Sequence, residues 1–358
     1  GAGDDTRHWG PPFLKDAQGQ DTEHAAYYTC ANRNKRSITV DLAHPDGQAL
    51  IRQMASQSDV LVENFKVGGL KHYGLDYESL KAINPRLIYC SVTGFGQDGP
   101  YAERAGYDLM IQAMSGMMSI TGRADGTPGG GPQRVGVALT DLFTGVYAAT
   151  AILAALEGRH RTGEGQHIDV STVEAMLSAH AWTSTSWTHE GVIMRRSEPD
   201  SIPCKDGYVW LMSMRWDPTL FVLIERPDLM DDPRFADRQS WFENRDELLQ
   251  LVGGWCAQHT KDHIFHAAQE LRLALTPVNN AADLLKSDQL KARDWFQEIE
   301  HLDAGTFTLP GFPYLLSETP ASIRSPAPRL GQHDGEEFIG TRERGHRSAR
   351  HALEPDKY

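Results

Sequence analysis

Between residues 37 and 96 the chain alternates β-rich runs with helical stretches. "SITVDL" (37–42) is followed by "HPDGQALIRQMASQS", then "DVLVENF" (59–65), then "DYESLKAINP", then "RLIYCSVTGFG" (86–96). Strands separated by helices at this spacing predict βαβ units, and hence a Rossmann-like parallel sheet with helices on both faces. Pro45, Gly47 and Pro85 punctuate the units. At 358 residues the chain is long enough for two domains with real cores. We place a large α/β domain at 1–185, a linker at 186–200 and a smaller α+β domain at 201–309. The last rests on "CKDGYVWLMSM" (204–214), read as a KDG turn with a β run, and on the helical patterns "RDELLQLVGGWCAQH" and "TKDHIFHAAQELRLA". The Pro-rich stretch at 310–328 reads as a second linker, and 329–358 as a return segment ending in a tail without apolar period, expected to be disordered.

The 48 acidic against 35 basic side chains give a net charge of -13, and no Lys/Arg run supplies a local footprint for nucleic acid or an anionic membrane. Four cysteines, at 30, 90, 204 and 256, form no CxxC pair, which fits a reducing, cytoplasmic compartment. The most apolar run, "VGVALTDLFTGVYAATAILAAL" (135–156), is interrupted by Asp, Thr and Gly and is read as a buried helix rather than a membrane span. The chain begins "GAGDDTRHWGPPF", with neither an initiating Met nor a signal-peptide pattern.

Several patterns invite a chemical reading. "GFGQDG" (94–99) satisfies GxGxxG after a strand, but Pro100 and a polar segment stand where a dinucleotide fingerprint needs a helix N-terminus. A nicotinamide-linked reaction is therefore set below a plain glycine turn. His259, His263 and His266 have ligand-like spacing, yet Thr260 reads as an N-cap that leaves His259 off the helix, and no metal site is expected. GxSxG, GK[ST] and HExxH are all missing from the sequence. Asp141, inside the apolar run, has two readings. It is an N-cap of the helix that begins there, or a carboxylate placed among small residues where a ligand can approach.

Taken together, "GDDTRHWGPPF", "NRNKRSITVDL", "DVLVENF", "NPRLIYCSVTGFGQDGPY", "AGYDLMIQAMSG", "TDLFTGVYAATAILAALEGRHRTGEGQHIDVS" and "CKDGYVWL" resemble the class III CoA-transferases, the family of formyl-CoA transferase and the carnitine and bile-acid-inducible CoA-transferases. The resemblance implies an acyl-CoA:carboxylate CoA-transferase working through Asp141, by an aspartyl anhydride and an aspartyl-CoA thioester. An Asp, with a reference pKa of about 3.9, needs no base for this attack. The CoA thioester is a substrate, and no tightly bound cofactor is implied.

CoA contacts carried over from the family fall on Val40, Asp41, Leu42 and Ala43, on Asn64, Phe65 and Lys66, and on His72, Ala105, Gly106, Tyr107 and Asp108. His72 stands where the family has an arginine, and Ala105 where it has a lysine. Tyr107 stands where the similar α-methylacyl-CoA racemases have a catalytic His, and a phenol near pKa 10 moves an α-proton poorly at neutral pH. Transferase is thus favoured over racemase. The resemblance also implies an interlocked homodimer, and a further strand-helix-strand unit ahead of residue 1 that contributes to the CoA site. A non-catalytic CoA-binding chain is the contrasting expectation. "PGGG" (128–131) is one candidate for a mobile glycine lid, although the glycine flap of the family lies in a later segment, shortened here, so the resemblance assigns no lid to it.

Overall fold

The strand Ile88–Thr93 lies between Val60–Glu63 and His167–Ser171, parallel to both. Five of its six residues are buried, as expected for a strand covered on both faces. Successive side chains leave opposite faces of a strand. Tyr89 accordingly joins Leu75, Leu80 and Leu87 beneath the helices Pro45–Gln57 and Tyr77–Ile83, while Cys90 meets Ala148 of the long helix Leu139–Thr162. The computed structural model describes residues 3–196, 201–212 and 216–336. The expected tail falls outside them from residue 337 onward.

The chain divides into two compact units. One comprises Ser37–Glu198 with Gly331–Tyr358 and carries this parallel sheet. The other joins Gly1–Arg36 to Pro199–Leu330, so the first 36 residues, placed by sequence in the large domain, pack with the second half of the chain. This second unit is built on an antiparallel sheet of Ser201–Cys204, Gly207–Leu211 and Leu275–Pro277. Phe221, Phe235, Trp241, Leu248 and Ile264 fill its core against Ile202 and Val209. Burying each such side chain contributes roughly 1.5–3 kcal/mol. Residues 186–190, expected as linker, continue the helix Ala181–Glu190. A hairpin of Phe296–His301 and Gly305–Pro310 precedes the irregular stretch 311–328.

The expected strand at 37–42 does not form. Its backbone is satisfied elsewhere: Ser37 exchanges hydrogen bonds with His333, and the Thr39 amide and hydroxyl both donate to the Asp334 carboxylate, at 2.7 and 2.6 Å. The segment then turns into the helix Pro45–Gln57, where a Cβ on Gly47 would lie 2.0 Å from the Asp41 carbonyl oxygen.

Leu139–Thr162 is long and apolar enough to cross a membrane by length and composition alone, although Asp141 and Glu157 leave no 18 residues of it free of charge. Thr140, Thr144, Ala148, Ala155 and Arg159 nevertheless make a helical stripe buried in this unit. Arg159 closes the stripe, donating to the Asp59 carboxylate at 2.8 Å and the Arg86 carbonyl at 2.9 Å. Leu142, Val146 and Leu153, on the other side, are exposed.

Candidate active site

The carboxyl ends of the parallel strands are where an open α/β sheet binds ligands. Two of the predicted segments meet there. The Asn64 side chain donates to the Val92 carbonyl, and Gly106 is pressed against Gly94, which follows the central strand. A Cβ on Gly106 would lie 2.4 Å from the Gly94 Cα, so only glycine allows this approach. The contact anchors the run Ala105–Tyr107 immediately before the helix Asp108–Met114. Tyr107 is 71% exposed and thus open to a ligand.

Asp108 reaches the start of the long helix. Its Oδ1 accepts from the Thr140 amide at 2.9 Å and the Thr140 hydroxyl at 2.6 Å. The helix begins at Leu139 with Ala138 as its N-cap and no side-chain cap of its own, which corrects the capping role read for Asp141. Asp141 is the third helical residue, and among the described residues none donates a hydrogen bond to its carboxylate. Residue 141 retains solvent access, yet the surrounding protein removes enough water from the carboxylate to raise its pKa, and the Asp108 charge raises it further, to about 6. A group so perturbed beside a ligand-binding sheet edge is an active-site candidate. At neutral pH it is mostly ionised, unshielded and ready to act as a nucleophile.

Other predicted residues lie apart from this pair. Val40–Ala43 follow no strand, and Leu42 packs with Ile51 and Leu61. His72 sits in the short helical turn Lys71–Tyr73 with its ring against Tyr73. No hydrogen bond joins either segment to Asp141 among the described residues. Lys66 and Lys71 line a cavity of about 200 Å³ that also takes in the carboxylates of Glu63, Asp76 and Glu78. Lys71 was not singled out from the sequence. Phe65, next to Lys66 in the chain, is exposed.

"GFGQDG" leads into no helix, and its Gln97 amide donates to Asp169 at 2.8 Å. Thr260 caps the helix Lys261–Glu270, and His259 precedes it, stacked on Trp255 and His263. A different group, His24, His301 and Asp303 in the other unit, has the spacing of metal ligands. Its atoms are already engaged: Asp303 pairs with Arg329 and, at 2.7 Å, with His24, which hold its carboxyl down at about 2. His301 Nδ1 accepts from the Asp303 amide. This is an ion-pair network rather than a set of open ligands.

"PGGG" closes a hairpin in which Gly122–Arg123 pair with Gly131–Pro132. Arg196 ties the hairpin down, donating to the carbonyls of Ser119 and Arg123 and to the Asp125 carboxylate.

The chain matches CoA-transferase family III over residues 1–334. It is 39% identical to succinate–glutarate CoA-transferase of Agrobacterium fabrum, over 93% of this chain and 85% of that protein. It is 34% identical to succinyl-CoA:glutarate CoA-transferase of Homo sapiens, over 93% and 76%. The crystal structure of a CAIB/BAIF family protein from Brucella suis superposes with a TM-score of 0.81 at 39% identity, covering 92% of this chain and 87% of that one. With the resemblance seen in the sequence thus carried by whole-chain matches in sequence and in structure, the chain belongs to the class III CoA-transferases and is an enzyme that exchanges CoA between acyl-CoA and carboxylic acid.

Proposed function

We propose that the enzyme transfers CoA from succinyl-CoA to a dicarboxylate of the glutarate type, with Asp141 as covalent nucleophile. The observation that carries the mechanism is the Asp141 carboxylate itself, bare of hydrogen bonds at the head of a buried-stripe helix and raised in pKa to about 6. Its oxygen attacks the thioester carbonyl, forming a mixed anhydride and expelling CoA thiolate. The thiolate then attacks the aspartyl carbonyl, releasing succinate and leaving an aspartyl-CoA thioester. The acceptor carboxylate displaces CoA to give a second anhydride, and CoA thiolate attacks its acceptor carbonyl, yielding the new acyl-CoA and free Asp141. A carboxylate partly stripped of water starts with less solvation to lose when it attacks the thioester. The choice of succinyl and glutaryl groups is supported by the names of the A. fabrum and H. sapiens relatives.

In this reading CoA runs along the carboxyl edge of the sheet, past Asn64–Lys66 to Ala105–Asp108, with the irregular segment Val40–Ala43 and the turn at His72 as further contacts. Lys66 and Lys71 supply cations near its phosphates, in the place of the family arginine that His72 replaces. The working form is a homodimer. Its support is the exposure of Leu142, Val146 and Leu153 on one helix and of Trp182 and Trp187 on another, large apolar side chains that a partner surface would cover. A cytoplasmic location is supported by the four widely spaced cysteines.

Incubation with succinyl-CoA and a panel of dicarboxylates, followed by mass analysis of the thioesters, tests the proposal. Glutaryl-CoA formed with stoichiometric succinate is the expected result. Thioester hydrolysis without transfer to any member of the panel would overturn it.

A further inference from the structure

Gln112 is fully buried in the helix Asp108–Met114, yet it makes three hydrogen bonds, all to the machinery around Asp141. Its side-chain oxygen accepts from the Val135 amide at 2.9 Å. Its amide nitrogen donates to Asp108 Oδ2 at 2.8 Å and to the Val137 carbonyl at 3.3 Å. Asp108 in turn satisfies the amide and hydroxyl of Thr140. One buried amide thus fixes both ends of the turn that delivers the chain to the long helix, and orients the carboxylate that caps this helix from outside. Ala138 cannot cap it, so the first turn depends on this borrowed cap.

We infer that Gln112 is a positioning residue for CoA transfer, holding Asp108 and residues 135–137 so that Asp141 presents its carboxylate oxygen to the thioester. Gln112 touches no substrate, because its side chain is enclosed. Its donor and acceptor ends are not interchangeable: the amide N–H must meet the carboxylate, and the oxygen must meet the backbone amide. Glutamate at 112 would keep the bond to Val135 but lose the donor to the Val137 carbonyl and set a second carboxylate against Asp108. Asparagine at 108 would keep a cap for Thr140 but lose the acceptor that holds Gln112. Putting both changes together restores a donor facing an acceptor with the charge moved to the other partner.

The inference rests on Asp141 being the nucleophile, so the test measures both. Gln112→Leu, Gln112→Glu, Asp108→Asn and the Gln112→Glu/Asp108→Asn pair are compared with wild type and Asp141→Asn, by steady-state kinetics and thermal melting. A displacement of about 1 Å at a reacting group costs about 100-fold in rate. The Gln112 variants should therefore lose 10- to 100-fold in kcat, roughly, with KM for acyl-CoA within a factor of about three, the change an unaltered binding surface allows. The double variant should recover part of the loss suffered by Gln112→Glu. If Asp141→Asn abolishes transfer while folded Gln112→Leu keeps wild-type kcat, the inference about Gln112 fails alone. If the double variant is no better than Gln112→Glu at unchanged melting temperature, the positioning chain through Asp108 is wrong. Transfer at wild-type rate by Asp141→Asn would overturn the nucleophile and this inference with it.

Discussion

Replacing Asp141 by Asn should stabilise the protein at pH 8, although it removes the reactive group. The native environment raises this pKa from 3.8 to about 6, by desolvation first and by the Asp108 charge second. A carboxyl whose native pKa is raised binds its proton more tightly folded than unfolded. Below about pH 4 both states are largely protonated and the residue is close to neutral for stability; between about pH 4 and 6 the unfolded chain ionises first and the unfolded state is increasingly favoured, and above 6 the full penalty remains. Two pKa units correspond to about 3 kcal/mol, and the solvent access of residue 141 discounts this to about 1 kcal/mol. Asn carries no charge, keeps nearly the same volume, and loses no hydrogen bond, since Asp141 is not the cap. At fixed protein concentration Asp141→Asn should melt about 1–2 °C above wild type at pH 8. The gap should narrow below pH 6 and close near pH 4. A variant that melts lower than wild type by the same amount at pH 8 and pH 5 would refute this reasoning and return Asp141 to the role of a structural cap.

The Asp108→Asn change should move the acid limb of the normalised transfer rate to lower pH, because the charge that helps raise the Asp141 pKa is gone; a limb that stays in place or rises refutes the coupling. Gly106→Ala puts a Cβ 2.4 Å from Gly94 Cα, so it should cost about 1–3 kcal/mol and displace Tyr107 and Asp108, seen as lower melting and a weakened affinity for CoA by calorimetry. Arg159→Met leaves the Arg86 carbonyl and the Asp59 carboxylate without this donor and should destabilise by about 1–2 kcal/mol in urea titration, with kcat unchanged at temperatures where the protein stays folded.

The parallel sheet was legible because "DVLVENF" and "RLIYCSVTGFG" carry continuous apolar runs between helical patterns, and they became two of the three parallel strands; the third, His167–Ser171, only alternates Ile and Val with polar residues. "SITVDL" has the same composition but no strand neighbour; its partners, His333 and Asp334, lie almost 300 residues along the chain, and local pattern cannot register such a distance. The same blindness hid the packing of residues 1–36 with 199–330. Asp141 was found through its place in an apolar run and through family resemblance, but its position in the helix was misread because Asp is also a favoured cap. The true cap, Asp108, acts from 32 residues away. Gln112 gave a faint signal as the one long polar side chain within "LMIQAM", a buried amide in need of partners that the sequence did not name.

The most direct test of the account is the mass of the peptide containing Asp141 after wild-type enzyme is mixed with succinyl-CoA and quenched in hydroxylamine. An aspartyl thioester or anhydride at that position is converted to a hydroxamate, so the account predicts this modification on Asp141, dependent on succinyl-CoA and lost when a dicarboxylate acceptor is added in excess before the quench. An enzyme that turns over while Asp141 remains unmodified, or that carries the hydroxamate on another residue, would contradict it.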